Sequence, residues 1–262
     1  MENNSLNPMN QEKRFKIDAK NTIAIASGKG GVGKSTFAVN LSVSLKQKGL
    51  KVGILDADIY GPSIPRMMGI TDKPKTSESK KLIPLENHGI KCMSIGFLIS
   101  PDTPAIWRGP MVMKALEQMF NGVEWGELDY LVIDLPPGTG DAQLSLTQHS
   151  NLTGSIIIST PQDVALIDPI KAINMFKKVN VPILGIVENM SYFLCDSCNK
   201  KHEIFSSGKV KKEAEKFNIP FLGDLPLDID LRVFSDEGKP IGIENPNSEI
   251  AKIYLSIADK IK

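Results

Sequence analysis

The chain has 262 residues, a formal net charge of +1, 41% hydrophobic and 23% charged residues. That length allows one large α/β domain with a substantial core, and a near-neutral balance excludes any overall electrostatic case for nucleic acid or an anionic membrane. No apolar run approaches the roughly 20 residues that span a bilayer, and three cysteines do not make a disulfide framework in a chain of this size.

Residues 1–20 contain no apolar leader core and carry Glu2, Glu12 and Asp18. They read as a flexible N-terminal arm rather than a targeting peptide, which predicts a cytoplasmic protein. Residues 21–262 read as one domain. It opens with an apolar strand, Asn21–Ser27, followed by Gly28-Lys29-Gly30-Gly31-Val32-Gly33-Lys34-Ser35-Thr36. This is the G-x-x-x-x-G-K-[ST] phosphate loop of nucleotide hydrolases. Its glycines let successive backbone N–H groups turn towards one anion. Lys34 brings a point charge to the β/γ-phosphates, Ser35 a hydroxyl for Mg²⁺, and the helix beginning near Gly33 its positive dipole end. The apolar run after the loop, ending at Lys48-Gly49, suits a buried helix.

Lys29, a second lysine at the front of the loop, is not needed to hold phosphate within one chain. The K-G-G-V-G-K-S form resembles the loop of MinD/ParA, nitrogenase iron protein and arsenical-pump ATPases. In that group the first lysine reaches the nucleotide of a partner subunit, so the resemblance implies an ATP-dependent homodimer with Lys29 and Lys34 both serving catalysis.

Lys51–Ala57 is the second strand, an apolar run of the kind buried in parallel sheets. It delivers Asp56 and Asp58 to the ligand-binding edge. Asp58 is the candidate for positioning the attacking water or a Mg²⁺-bound water, and Asp56 a support. Ile59–Pro65 is rich in turn formers and reads as a segment that senses the γ-phosphate. Thr71–Lys81 is polar and reads as an exposed loop. Gly89–Gly96 is a third strand with Cys92 as a buried, inert thiol. After Trp107-Arg108 a helix is expected over Met111–Phe120, with Met111, Ala115, Leu116, Met119 and Phe120 on its apolar face. Tyr130–Leu135 is a strand carrying Asp134, a Walker B carboxylate for the Mg²⁺ shell. Pro136-Pro137-Gly138-Thr139-Gly140 must then turn, and Asp141 is expected to cap the next helix.

The stretches DADIYGPS, WRGPM and WGELDYLVIDLPPGTGD together resemble the Mrp/ApbC family, ATP-binding iron–sulfur cluster carriers related to nitrogenase iron protein. The likeness runs from about Thr22 to Ile241. Some members carry a further domain before the ATPase, and only residues 1–20 precede the first strand here, so the expectation is that it is absent. Some eukaryotic relatives have an N-terminal four-cysteine motif, which this N-terminus lacks.

Further strands are read at Ser155–Thr160 and Val181–Val187, with Asp163 as a helix cap between them and Pro169 forcing a kink or restart. The second of these delivers Asn189 to the same edge, placed to hydrogen-bond an adenine, a role the resemblance supports. Cys195-x-x-Cys198 follows. The spacing lets two thiolates bind one metal, but a structural zinc site takes four ligands; His202 could add a third and a fourth is missing. Zinc, a disulfide and spare thiols remain open from the residues alone. The resemblance places a bridging cluster here: in the homodimer implied by Lys29, two such pairs give four thiolates for one 4Fe–4S cluster. Pro220–Leu225 reads as a strand leading to Pro226-Leu227-Asp228 beside the base. Phe234–Pro240 reads as a turn-rich loop, and Ser248–Lys262 as a helix packing its Ile250, Ile253, Ile257 and Ile261 face on the sheet.

The expected fold is a three-layer α/β P-loop NTPase with a mainly parallel central sheet. The expected function is ATP-dependent carriage of a bridging 4Fe–4S cluster to apoproteins, charged by scaffold or donor proteins, with Mg²⁺ at Ser35, Asp58 and Asp134, and without nucleic acid or membrane partners. A positioning or partitioning switch of the MinD/ParA type is the alternative.

Overall fold

Apolar runs, not alternating ones, build the centre of the sheet: all five residues of β2, Val52–Asp56, are buried, as are all six of β6, Gly154–Ser159. Strands covered on both faces have this pattern. The computed structural model describes residues 15, 17–98, 109–162, 167–195 and 197–261. Trp107, Arg108, Asp163, Asp196 and most of the N-terminal arm lie outside the described residues.

The first half of the chain runs β1 (Ala19–Ser27), α1 (Lys34–Gln47), β2, α2 (Ile64–Met67), β3 (Leu85–Asn87), β4 (Ile90–Ser94), α3 (Gly109–Asn121) and β5 (Leu128–Asp134). The second half runs α4 (Asp141–His149), β6, α5 (Ile167–Lys178), β7 (Ile183–Glu188), the short pair β8 (Phe193–Leu194) and β9 (Lys201–His202), α6 (Lys209–Phe217), β10 (Phe221–Asp224), α7 (Ile229–Glu237), α8 (Ile241–Glu244) and α9 (Glu249–Lys260). Among the described residues the main sheet has eight strands in the order β10-β7-β6-β1-β5-β2-β4-β3, and every pairing in it but β3–β4 is parallel. The connection β1-α1-β2 moves towards one edge and β6-α5-β7 towards the other. Right-handed crossovers therefore put α1 and α5 on opposite faces, giving three layers. β1 stands where the winding reverses, the place where such sheets bind ligands. At the β10 edge Lys260 Nζ donates to the carbonyl of Leu222 at 2.7 Å.

Several local expectations are corrected. The third strand is the second arm of an antiparallel hairpin, because His88 (φ 54°) and Gly89 (φ 70°) turn the chain between β3 and β4. Ile59–Pro65 is not turn throughout: α2 begins at Ile64 with Pro65 in its first turn, where a missing N–H costs nothing. On α3 the buried face carries Val112 in place of Met111, which is 54% exposed. α4 starts at Asp141 itself with Gly140 in the cap position. Phe234–Glu237 are helical, because Asp228 accepts from Leu231 N at 2.7 Å to open α7 and Gly238 (φ 73°) closes it. Pro169 lies in the first turn of α5. On α9, Ile250 and Ile257 are buried and Ile253 half-buried, Ile261 just beyond the helix is buried, and the helix packs against α1 and β10.

Candidate functional site

Three parallel strands bring the chemistry together. In register, Asp134 of β5 faces Ile25 of β1 on one side and Asp56 of β2 on the other. The phosphate loop leaves β1 two residues later, at Ser27, whose Oγ donates to the Lys29 carbonyl at 2.8 Å. Lys34 and Ser35, the first two residues of α1, reach back to the same carboxylate. Lys34 Nζ donates to Asp134 Oδ1 and Ser35 Oγ to Asp134 Oδ2, each at 2.5 Å. Asp58 Oδ2 lies 3.8 Å from Lys34 Nζ. Lys34 and Asp134 are buried, so these contacts act in a low-dielectric setting where they are strong. Burial pushes the Asp134 carboxyl up, against the opposing pull of Lys34 and Ser35.

Asp56 is a scaffold for this edge. It accepts from Asp58 N at 3.1 Å, Ile64 N at 3.3 Å and Ser94 Oγ at 2.9 Å, and so fixes both ends of the 58–64 segment. Burial first, and the Asp134 charge second, push its carboxyl up to about 8.

A cavity of about 210 Å³ opens above these groups. Lys29, Gly30, Gly31, Gly33, Lys34, Ser35, Thr36 and Asp58 line it, joined by Ser63 of the segment read as sensing the γ-phosphate, Pro137 of the turn after Asp134, and Met67, which the sequence did not single out. Gly28 follows β1 directly, and the Val32 side chain is buried in the core. The wall opposite Thr36 is Met67 of α2, 4.0 Å from its hydroxyl. Gly138 (φ 90°) donates to the Ser27 carbonyl at 3.0 Å, holding the turn after Asp134 against the loop.

Asn189 stands at the end of β7 and is nearly buried. Its Nδ2 donates to the Val32 carbonyl at 2.8 Å. A Cβ on Gly33, which has φ 82°, would lie 2.2 Å from that nitrogen. Asn189 therefore braces the phosphate loop from below, a contact across 157 residues that no local pattern announces. Pro226, Leu227 and Asp228 line a second cavity, about 320 Å³, with Tyr192, Ile250 and Ile253.

The cysteine pair lies on the β8–β9 hairpin. Cys195 N donates to the Lys200 carbonyl at 3.0 Å and Asn199 N to the Cys195 carbonyl at 2.8 Å, which holds Asn199 and Lys200 against Cys195. Cys198 is exposed, Cys195 half-buried, and neither forms a disulfide. His202 pairs with Phe193 across the hairpin. Among the described residues no group of three His, Cys, Asp or Glu side chains is arranged to hold a metal, so His202 does not complete a site with the two cysteines. Cys92 is fully buried on β4, where burial pushes its thiol up and leaves it inert.

Residues 18–262 match the ParA family described as NUBPL iron-transfer P-loop NTPase. The chain belongs to this family. It is 55% identical over 244 residues to a Dictyostelium discoideum protein named iron-sulfur cluster transfer protein NUBPL, covering 92% of this chain and 76% of that one. It is 53% identical to the iron-sulfur cluster carrier protein of Aquifex aeolicus, covering 91% of this chain and 66% of that one. Among solved structures, a nucleotide-binding protein of Archaeoglobus fulgidus in complex with ADP superposes with a TM-score of 0.79 at 40% identity, over 90% of this chain and 93% of that one. The cell division ATPase MinD of Pyrococcus furiosus shares the fold, with a TM-score of 0.69 at 23% identity over 92% of this chain and 98% of that one.

Proposed function

We propose that this protein is an ATP-dependent iron–sulfur cluster carrier that works as a homodimer and passes a bridging 4Fe–4S cluster to apoproteins. One observation carries the reading: a P-loop NTPase of an iron-transfer family presents two thiols on an exposed hairpin, with no third ligand within the described chain. A second copy supplies Cys195 and Cys198 again, making four thiolates for one cluster. A cargo held between subunits is open to release. The names of the relatives support carriage, whereas the likeness to MinD at 23% identity speaks for fold alone.

At the nucleotide site, Lys34 and the loop N–H groups receive the β/γ-phosphates. Lys29 acts on the partner's nucleotide, and Asp58 orients the attacking water. The hydroxyl of Ser35 and the carboxylates of Asp58 and Asp134 form an all-oxygen donor set that suits Mg²⁺. Those three residues would hold it, and the ion would supply positive charge to the phosphate oxygens. Asn189 and the Pro226–Asp228 segment receive the base. The chain's work is to fix phosphate, water and base, and hydrolysis is slow and tied to the segments after Asp58 and Asp134. Scaffold or donor proteins load the cluster. Among the described residues no helix is long and apolar enough to cross a membrane.

Anaerobic reconstitution with iron and sulfide, read by absorbance, tests the cargo. The wild type should gain a cluster, about one per two chains, and a Cys195→Ser/Cys198→Ser double variant none. A wild type that takes up no cluster, or a variant that takes up as much, overturns the reading.

A further inference from the structure

The cysteine hairpin is an excursion from the sheet that leaves at Ser191 and returns at Gly208. One buried side chain holds both ends. Glu188, the last residue of β7, is 1% exposed. Its Oε1 accepts from Ser191 Oγ at 2.6 Å and from Gly208 N at 3.0 Å, and its Oε2 accepts from Val210 N at 3.0 Å. Gly208 and Val210 belong to the N-terminal end of α6, whose free N–H groups and dipole favour a carboxylate there. Both carboxylate oxygens are thus spent on the base of the hairpin.

The next residue faces the other way. Asn189 donates to the Val32 carbonyl and packs on Gly33, inside the phosphate loop. Its own N–H donates to the Ser159 carbonyl of β6 at 2.7 Å, so this part of the backbone is held by the sheet. Two adjacent residues on one strand end therefore grip two loops: Asn189 the loop that takes phosphate, Glu188 the loop that carries the thiols. From Asn189 to Cys195 the chain has no free linker. Ser191 N donates to the Leu225 carbonyl at 2.9 Å, and Leu227 N to the Tyr192 carbonyl.

We infer that Glu188-Asn189 is the positioning element that couples nucleotide at the phosphate loop to the placement of Cys195 and Cys198, with Glu188 the residue that transmits it to the hairpin. A loop that shifts on phosphate binding moves the Val32 carbonyl and Gly33, and Asn189 cannot stay indifferent to either. Because both feet of the hairpin rest on Glu188, a small displacement there reorients both thiols together. This inference rests on the proposed cluster site for its purpose, though not for its test.

The test follows thiol chemistry in the apoprotein. Alkylation of Cys195 and Cys198 is timed by mass spectrometry with and without Mg·ATP, with buried Cys92 as the internal reference. In the wild type, nucleotide should change the labelling rate of the pair by about fivefold or more, the lower end of ordinary allosteric coupling. In Glu188→Gln, whose amide N–H₂ cannot accept from the backbone N–H of Gly208 and Val210 as a carboxylate does, and in Ser191→Ala, the change should fall below about twofold while ATP affinity measured by titration is retained. A wild type insensitive to nucleotide overturns the inference. So do variants that keep the full nucleotide response. If Glu188→Gln does not fold, Ser191→Ala alone decides, since it removes one bond and leaves the buried carboxylate its two backbone donors. Cluster reconstitution runs alongside: a wild type that takes up no cluster removes the proposed cargo while the labelling result still stands or falls by itself.

Discussion

The phosphate loop and the cysteine hairpin leave the same edge of the same sheet, and they are built in opposite ways. The first is cross-tied to buried carboxylates: Lys34 and Ser35 both close on Asp134, and Asp56 holds the segment beyond β2 at both ends. The second rests on two two-residue strands and shows Cys198 to solvent. In the proposed function the difference separates gripping from handing over. A site that must stabilise the charge of phosphoryl transfer needs fixed groups in a dry setting. A site that must give its ligand away needs thiols that another protein can reach.

The contrast breaks first, and most strongly, at Lys34. Lys34→Ala should lower ATP hydrolysis by about 10²–10³-fold. It also leaves Asp134 buried beside Asp58 without its cation, which should cost about 3–5 kcal/mol in denaturant unfolding. Hydrolysis within a few-fold of wild type would contradict the assignment. Gly33→Ala comes next. The left-handed backbone costs about 1–2 kcal/mol for a residue with a Cβ, and that Cβ would collide with Asn189 Nδ2. Fluorescent-nucleotide titration should show binding lost, while an Ala variant that binds normally would mean that Asn189 does not brace the loop.

A smaller effect is expected from pH. In the nucleotide- and magnesium-free protein, Asp56 ionises only near 8, against about 4 in the unfolded chain. The folded state therefore holds an extra proton between those values, and stability should fall as pH rises through that window, by up to about 1.4 kcal/mol per unit. Asp134, also raised, acts in the same direction. Asp56→Asn should flatten the slope of unfolding free energy between pH 5 and 8; an unchanged slope would point to other groups. The smallest expected effect lies at the hairpin: Cys195→Ser/Cys198→Ser should alter unfolding free energy by less than about 0.5 kcal/mol, as for surface substitutions, while abolishing cluster uptake. A large loss of stability would show that the pair is structural and not an open cargo site.

The parts of this arrangement that sequence made legible are those where one short stretch carries the whole signal. Lys34, Ser35, Asp58 and Asp134 each end or follow an apolar run, and parallel pairing then brings them together because such strands share one edge. The contacts that link separate stretches stayed hidden. Glu188 falls just after the strand read at Val181–Val187 and carries no signal of its own, and only the fold shows Ser191 and Gly208 meeting on it. Asn189 reads as a base contact, and only the fold shows that its amide also donates to the Val32 carbonyl. Met111 and Val112 could exchange places on the apolar face because a one-residue rotation of α3 is decided by what packs against it. The short strands β3, β8 and β9 are too brief for any periodicity to show, and α7 was masked by Ser235, Asp236 and Gly238, residue types that usually mark turns.

The two outer strands of the sheet bear on how such a protein behaves in a crowd. An unpaired strand edge is a template on which another chain can be laid down. At one border β3 offers only three residues, and at the other Lys260 occupies the Leu222 carbonyl with a positive charge. Lys260→Ala should leave nucleotide chemistry alone and yet raise light scattering on storage, because it uncovers the Leu222 carbonyl and removes a positive charge from that edge.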